Sequence, residues 1–184
     1  DKDLLDFEKR AAQLVEPLRA VVAHSAVFLN GIRESVRNRE TNLGDLTTDA
    51  MMDAALRSGD DDVPQLALRN GGSIRSSIGN IDPITGAHMG CVITEMAIED
   101  ALRFNNKLYV VTTTHAVLRE ILETGLMGAG TARGQFPQVS KELYLEFDTS
   151  FPEQDLSAID GKPIGIARAG QRVRRLIILP RRGE

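Results

Sequence analysis

The segment NGGSIR, residues 70–75, constrains the fold most, because two adjacent glycines come directly after an alternating apolar stretch. The preceding residues VPQLALR have the alternation of a half-buried strand, so the glycines are expected where that strand ends. Glycine lets the backbone come within contact distance of a ligand, and an arginine just beyond presents a rigid fork of donors to a phosphate or carboxylate. A simple turn is the alternative explanation, since most Gly-Gly pairs after strands are turns.

Apolar spacing predicts two helices in the first third of the chain. The first begins at the first residue and ends at Pro17, and the second covers NLGDLTTDAMMDAALRSG and ends at Gly59. Between them VVAHSAVFL, residues 21–29, predicts a strand because it is rich in β-branched and aromatic residues. Three consecutive aspartates, residues 60–62, predict a solvated turn, since adjacent carboxylates cannot all point at one calcium ion.

The rest of the chain alternates irregularly between helical and extended patterns. We expect a short helix over residues 89–100, a loop ALRFNN, a strand KLYVVTTT over residues 107–114 and a helix that Gly125 closes. A glycine-rich loop then leads to strands ELYLEFD and RVRRLIIL. The predicted fold class is α+β (mixed α/β), with a mixed sheet and flanking helices.

Composition and motifs exclude several function classes. A net charge of −4 leaves no basic excess for a nucleic-acid polymer, and no apolar run approaches the roughly 18 residues of a spanning helix. The single cysteine, Cys91, excludes an internal disulfide and a cysteine-built metal site. The three histidines lack metal-ligand spacing, and no Gly-x-Ser-x-Gly elbow is present. The sequence therefore predicts no catalytic residue and no metal ligand.

Two further features favour ligand binding. Arg33 and Arg37 are four positions apart, so on a helical turn their guanidinium groups share a face. Phe104 precedes two amides in a predicted loop, where a stacking platform beside hydrogen-bonding groups would lie. A solvated basic turn and a core phenylalanine are the alternatives. The loop GAGTARGQF lacks the Gly-Lys-Ser/Thr of a nucleotide P-loop.

Four segments occur together in an order and spacing that identify a family: RESVRNRETNLGDLTTDAM, LALRNGGSIR, ALRFNNKLYVVTTTHAVLREILE and GQFPQVS. They resemble the C-terminal domain of the 5′-nucleotidase family over roughly residues 20–179. The resemblance implies that residues 1–18 are an interdomain linker helix and residues 19–184 a substrate-binding domain. It also implies an N-terminal metallophosphatase domain of the same parent chain, which carries two divalent metal ions.

The resemblance implies eight substrate-binding residues: Arg33, Arg37, Asn70, Gly72, Arg75, Phe104, Asn106 and Gly134. The arginines would hold the ribose and phosphate side of a nucleotide. Asn70 would hydrogen-bond the nucleoside, Phe104 would stack on the base and Asn106 would reach a base edge. The backbone of Gly134 would line the pocket.

This sequence departs from the family pattern at three motif positions and at its end. Ser73 stands for the third glycine of the motif, Arg103 for the proline before the stacking phenylalanine, and Lys141 for a glycine after QVS. The family continues into a GGDGY-like segment with a second stacking phenylalanine and an aspartate. We therefore expect the domain to be incomplete at its C-terminal end, with one wall of the base pocket missing.

The function implied is nucleoside or nucleotide binding within a metallophosphoesterase that hydrolyses nucleotide phosphate esters. The chain alone is expected to be inactive, because it lacks the two-metal domain. A stand-alone nucleotide sensor stays open, as does a hydrolase of a related ester such as a cyclic nucleotide, a nucleotide sugar, NAD or a sulfur ester. The family resemblance favours a periplasmic, cell-surface or secreted location.

Overall fold

The computed structural model describes residues 2–59 and 63–180, so the predicted acidic turn at residues 60–62 lies outside the described residues. Five helices and ten strands alternate along the described part of the chain. In chain order they are α1 Lys2–Val15, β1 Val21–Ser25, α2 Arg33–Val36, α3 Asn42–Arg57, β2 Leu68–Asn70, β3 Asn80–Ile81, β4 His88–Met89, β5 Cys91–Thr94, α4 Glu95–Ala101, α5 His115–Gly125, β6 Pro137–Val139, β7 Leu143–Phe147, β8 Asp155–Ile159, β9 Lys162–Arg168 and β10 Val173–Ile178.

The strands pair two by two, and each of these pairings is antiparallel. The pairs within the described residues are β1 with β5, β2 with β6, β3 with β4, β7 with β10 and β8 with β9. The α+β class is therefore confirmed, whereas the expected mixed sheet is replaced by five two-stranded ladders. Each of these strands obtains its backbone hydrogen bonds from one neighbour.

One predicted strand and the start of one predicted helix were wrong. Residues 107–114 form no strand, although they are β-branched and aromatic, because no described segment pairs with them. A strand needs a partner for its backbone groups, and propensity alone does not supply one. The helix expected over residues 89–100 begins only at Glu95, where the side chain of Thr94 caps it by accepting a hydrogen bond from the amide of Ala97.

A hairpin that the sequence analysis did not predict lies between β7 and β10. Its strands β8 and β9 are joined by Asp160 and Gly161, which have positive φ values of 51° and 74°. Two successive residues with positive φ match the backbone twist of a tight antiparallel hairpin, and Asp-Gly is a favoured pair there. Residues of β9 are exposed along the whole strand.

The helix predicted at the start of the chain is confirmed as α1. Leu4, Phe7 and Leu14 along it are more than half exposed. The assignment of this helix as an interdomain linker stays a prediction. In the described part of the chain, no helix is long and apolar enough to span a membrane.

Two apolar clusters form the core, and the Asn-Gly-Gly segment connects them. The first cluster includes Val36, Leu43 and Ile74, and the second includes Leu122 and Phe136. Leu68 at the start of β2 packs against the second cluster, while Ile74, six residues later, lies in the first. The backbone between them is therefore held from both ends.

The buried carboxamide of Gln138 joins three elements near this connection. Its side chain donates hydrogen bonds to the carbonyl oxygens of Val36 and Arg39, at 3.0 and 2.7 Å, and accepts one from the amide of Thr41 at 3.1 Å. Gln138 is 1% exposed. Gly44 leaves room for it, since a Cβ there would lie 1.9 Å from Oε1 of Gln138. Thr41 in turn caps α3 through the amide of Gly44.

We expect Gln138→Leu to lower the free energy of unfolding by about 2–4 kcal/mol, because it leaves one buried amide and two buried carbonyls without their partner. Denaturant unfolding measures the change. The control is Gln171→Leu on the exposed surface, which should stay within about 0.5 kcal/mol of the unaltered chain. Equal stability of the two variants would contradict the bridging role of Gln138.

Asp45, in the first turn of α3, predicts a pH dependence of stability. Burial, followed by the charges of Glu40 and Asp49, raises the pKa of Asp45 from 3.8 to about 6. The folded state then binds a proton more tightly than the unfolded state, so stability falls as pH rises from about 4 to 6. Asp45→Asn should remove this fall and be more stable by about 1 kcal/mol at pH 7, after allowance for solvent screening. Unfolding free energies of Asp45→Asn and of the unaltered chain at pH 4 and pH 7 test this. A difference between the two chains that is the same at both pH values would contradict it.

Candidate ligand-binding site

The Asn-Gly-Gly motif runs beside residues 134–136 after β2 and β6 have paired. Asn70 is opposite Pro137 in that ladder. Beyond it the amides of Gly71 and Gly72 donate to the carbonyl oxygens of Phe136 and Gly134, each at 2.7 Å. The side-chain Nδ2 of Asn70 donates to the same Gly134 oxygen at 3.0 Å. The motif is thereby fixed against a second backbone, as its position at a strand end predicts.

Both glycines of the motif are required by close backbone approach. A Cβ on Gly71 would lie 1.7 Å from the carbonyl oxygen of Val36. On Gly72 it would lie 2.7 Å from both Cα and O of Gly134. Neighbouring backbone cannot yield as a flexible side chain does, so any larger residue displaces the segment.

Ser73 occupies the position of the third glycine with its side chain fully bonded. Its hydroxyl donates to the carbonyl oxygen of Asn70 at 2.6 Å and accepts from Nε of Arg69 at 3.0 Å. Ser73 is 5% exposed. This departure from the family pattern therefore keeps the turn and adds a contact to the preceding strand.

Three arginines converge beside the motif. Arg37, which is 8% exposed, donates from Nη1 to the carbonyl oxygen of Ala132 at 3.3 Å, while its buried Nε has no partner among the described residues. Burial lowers the pKa of Arg37, and the charges of Arg33 and Arg75 lower it further. The charge of Glu34 acts in the opposite direction but does not reverse the shift, so the surroundings of Arg37 stay positive on balance.

Phe104 lies next to this arginine cluster, which we define as Arg33, Arg37 and Arg75. The guanidinium carbon of Arg75 is 5.4 Å from the centre of the Phe104 ring, and Nη1 of Arg75 also donates to the Gly72 oxygen at 3.4 Å. The ring is 52% exposed. A half-exposed aromatic ring with a cation over it offers its surface to a planar ligand.

A cavity of about 750 Å³ adjoins the other candidate residues. Asn70, Phe104 and Asn106 line it, together with apolar residues of α3 and β1. None of the three clustered arginines lines it. Phe104 is therefore common to the arginine cluster and the cavity. Six of the eight predicted residues lie in these two adjoining regions. Gly72 and Gly134, which pair with each other, lie beside Arg75 and Arg37. The roles of all eight stay predictions.

Asn38 is a residue that the sequence analysis missed. Its Oδ1 accepts hydrogen bonds from the amides of Gly130 and Ala132, at 2.9 and 3.1 Å, and its Nδ2 donates to the Glu34 oxygen. Ala132 has a positive φ of 55° and supplies the oxygen that Arg37 contacts. Asn38 thus fixes the glycine-rich loop against α2. A lone asparagine between arginines has no pattern from which this contact could be predicted.

Within residues 2–59 and 63–180, no group of three or more His, Cys, Asp or Glu side chains is placed to hold a metal ion. His88 stacks on Phe28 with ring centres 4.2 Å apart. Cys91 is a free thiol.

Comparison with known proteins identifies the family. The family model described as 5′-nucleotidase, C-terminal domain, matches residues 21–181. The chain is 35% identical over 119 residues to the trifunctional nucleotide phosphoesterase protein YfkN of Bacillus subtilis, and 31% identical over 148 residues to a 5′-nucleotidase of Bos taurus. The crystal structure of a 5′-nucleotidase precursor from Thermus thermophilus superposes on 94% of the chain with a TM-score of 0.70 and 34% identity.

The chain therefore belongs to the 5′-nucleotidase family, as a C-terminal domain. It covers only part of each relative. The alignment with YfkN covers 65% of this chain and 7% of YfkN, and the alignment with the bovine protein covers 79% of this chain and 24% of that protein. The superposition covers 29% of the Thermus chain. The resemblance and the fold class inferred from the sequence are both confirmed.

We expect Gly72→Ala to lower the free energy of unfolding by about 1–3 kcal/mol, because the new methyl group must displace the backbone of Gly134. Gly165→Ala in β9 is the matched control, since its Cβ would meet only the Ser157 hydroxyl, at 3.3 Å. Denaturant unfolding compares the two, and amide NMR reports the Gly134 region. Equal stability of both variants would contradict the close-approach argument.

Proposed function

We propose that this chain binds the nucleoside of a nucleotide phosphate ester and presents its phosphate to an N-terminal metallophosphatase domain of the same parent protein. The observation that carries the proposal is the Phe104 ring, half exposed, with Arg75 on it and Asn106 two positions further on. A nucleoside has a planar face for stacking and polar edges that amides can bind.

The arginine cluster supports the anionic side of this ligand. Arg37 is buried with an unpartnered Nε, and Arg33 and Arg75 add positive charge to its surroundings. A phosphate at this position would relieve the repulsion among three cations and accept hydrogen bonds from planar donor groups. The ribose and phosphate would thus lie on the arginine side of Phe104, and the base on its ring.

Hydrolysis itself would belong to the N-terminal domain. Among the described residues, no group of three or more His, Cys, Asp or Glu side chains is placed to hold a metal ion. The resemblance implies two divalent ions in that domain, which would supply an activated water and charge neutralisation. The contribution of this chain would be orientation of the substrate, which converts binding into a correctly placed phosphate.

Titration with adenosine and with AMP tests the proposal. Phe104→Ala should weaken binding of both ligands by about tenfold, because stacking contributes about 1–3 kcal/mol per base. Arg75→Met should weaken AMP more than adenosine, since only AMP carries the phosphate. Amide NMR on the chain measures both affinities and shows whether shifts cluster at residues 70–75 and 104–106.

A matched control is available in the same chain. Phe151 also has an arginine over its ring, with the Arg174 guanidinium carbon 3.9 Å from the ring centre, but it does not line the cavity. Phe151→Ala should leave both affinities unchanged. Equal losses in Phe104→Ala and Phe151→Ala, or no binding of either ligand, would contradict the proposal.

A further inference from the structure

Arg69 carries a feature that the proposed function does not use. It precedes Asn70 on β2 and lines the 750 Å³ cavity together with Phe104 and Asn106. Arg69 is half-buried at this position, whereas arginine in proteins is mostly exposed. The arginine cluster lies outside this cavity, so Arg69 is a separate cation.

The guanidinium of Arg69 has one hydrogen-bonded nitrogen, Nε, and two Nη nitrogens without a described partner. Its Nε donates to the Ser73 hydroxyl at 3.0 Å, and the described residues offer no hydrogen bond or ion pair to its two Nη atoms. Burial lowers the pKa of Arg69. Four N–H donors therefore remain for a ligand, in the planar arrangement that matches a phosphate or carboxylate.

The surroundings of Arg69 define what kind of anion would fit. Most cavity-lining residues are apolar, and many come from β1, α3, β5 and α4, among them Leu43, Met51 and Ile93. The charged lining residues are Arg69, Lys107 and Glu99, and no ion pair joins Glu99 to Arg69. The volume falls in the range of small-molecule sites, about 300–1,000 Å³.

We propose that this cavity is a second ligand site, which binds an organic anion with an apolar or aromatic body and places its phosphate or carboxylate on Arg69. Lys107 adds charge at the same lining, and Ser73 orients the guanidinium by holding Nε. The body of the ligand lies against the apolar residues of α3 and β1. This site uses a different cation from the arginine cluster and shares only Phe104, Asn70 and Asn106 with the nucleoside site.

A charged probe and its neutral analogue separate the anion contact from apolar binding. We would titrate the chain with 1-naphthyl phosphate and with 1-naphthol, using amide NMR or calorimetry. Arg69→Met should weaken 1-naphthyl phosphate about tenfold and change 1-naphthol by less than about twofold, because methionine keeps the apolar length but removes the donors. Arg69→Lys should lie between, since it keeps the charge without the planar fork.

Arg174→Met is the matched control, because it removes an exposed arginine that lies over Phe151 and does not line the cavity. It should leave the affinity for 1-naphthyl phosphate within about twofold of the unaltered chain. A phosphate-specific loss in Arg75→Met but not in Arg69→Met would overturn the proposal, since the phosphate would then lie in the arginine cluster. Equal losses of both probes in Arg69→Met, or no loss of either, would also overturn it.

Two further measurements keep the result decisive. If Arg69→Met does not fold, Lys107→Met tests the same lining, and a phosphate-specific loss of about threefold is expected; no such loss would overturn the proposal. Titration of Arg69→Met with adenosine shows whether the loss is confined to this site or extends to the proposed nucleoside site. If the unaltered chain does not bind adenosine, the proposed function fails, while the naphthyl phosphate result stands or falls by its own comparison.

Discussion

The carboxamide of Gln138 is the interaction on which the rest of the site depends. It satisfies the carbonyl of Val36 at the end of α2, the carbonyl of Arg39 beyond it and the amide of Thr41 before α3, so the two helices are held to the strand that pairs with β2. That strand in turn fixes the Asn-Gly-Gly motif. A single buried side chain thus connects the helix that carries the arginines to the turn that faces them, and an apolar residue of equal size could not do so.

The arginine cluster illustrates how a fold can hold groups that repel one another. Arg37 is buried among backbone carbonyls, and Asn38 fixes the loop that supplies one of them. The charge of Glu34 offsets only part of the effect of Arg33 and Arg75 on Arg37, since the pKa of Arg37 is lowered on balance. None of the ion pairs among the described residues involves these three arginines.

Local patterns in the sequence were sufficient for much of the fold, whereas the candidate site residues came from the family resemblance and their roles stay predictions. The helices α1, α3 and α5 follow from apolar spacing, and the strand end at Asn70 follows from the two glycines. Residues 107–114 have strand propensity without a partner, and pairing over long distances cannot be read from propensity. The β8–β9 hairpin had a usable signal in Asp160–Gly161. Neither Arg69 nor Asn38 had any, because their importance comes from what surrounds them.

The position of Phe104 has a thermodynamic consequence. One ring belongs both to the arginine side and to the cavity side, so a ligand that reorients it on one side alters the surface presented on the other. Linkage requires the effect to be reciprocal: whatever factor the first ligand imposes on the affinity of the second, the second imposes on the first. A shared aromatic side chain would thus be sufficient to make the two proposed sites either compete or cooperate, without any movement of the backbone between them.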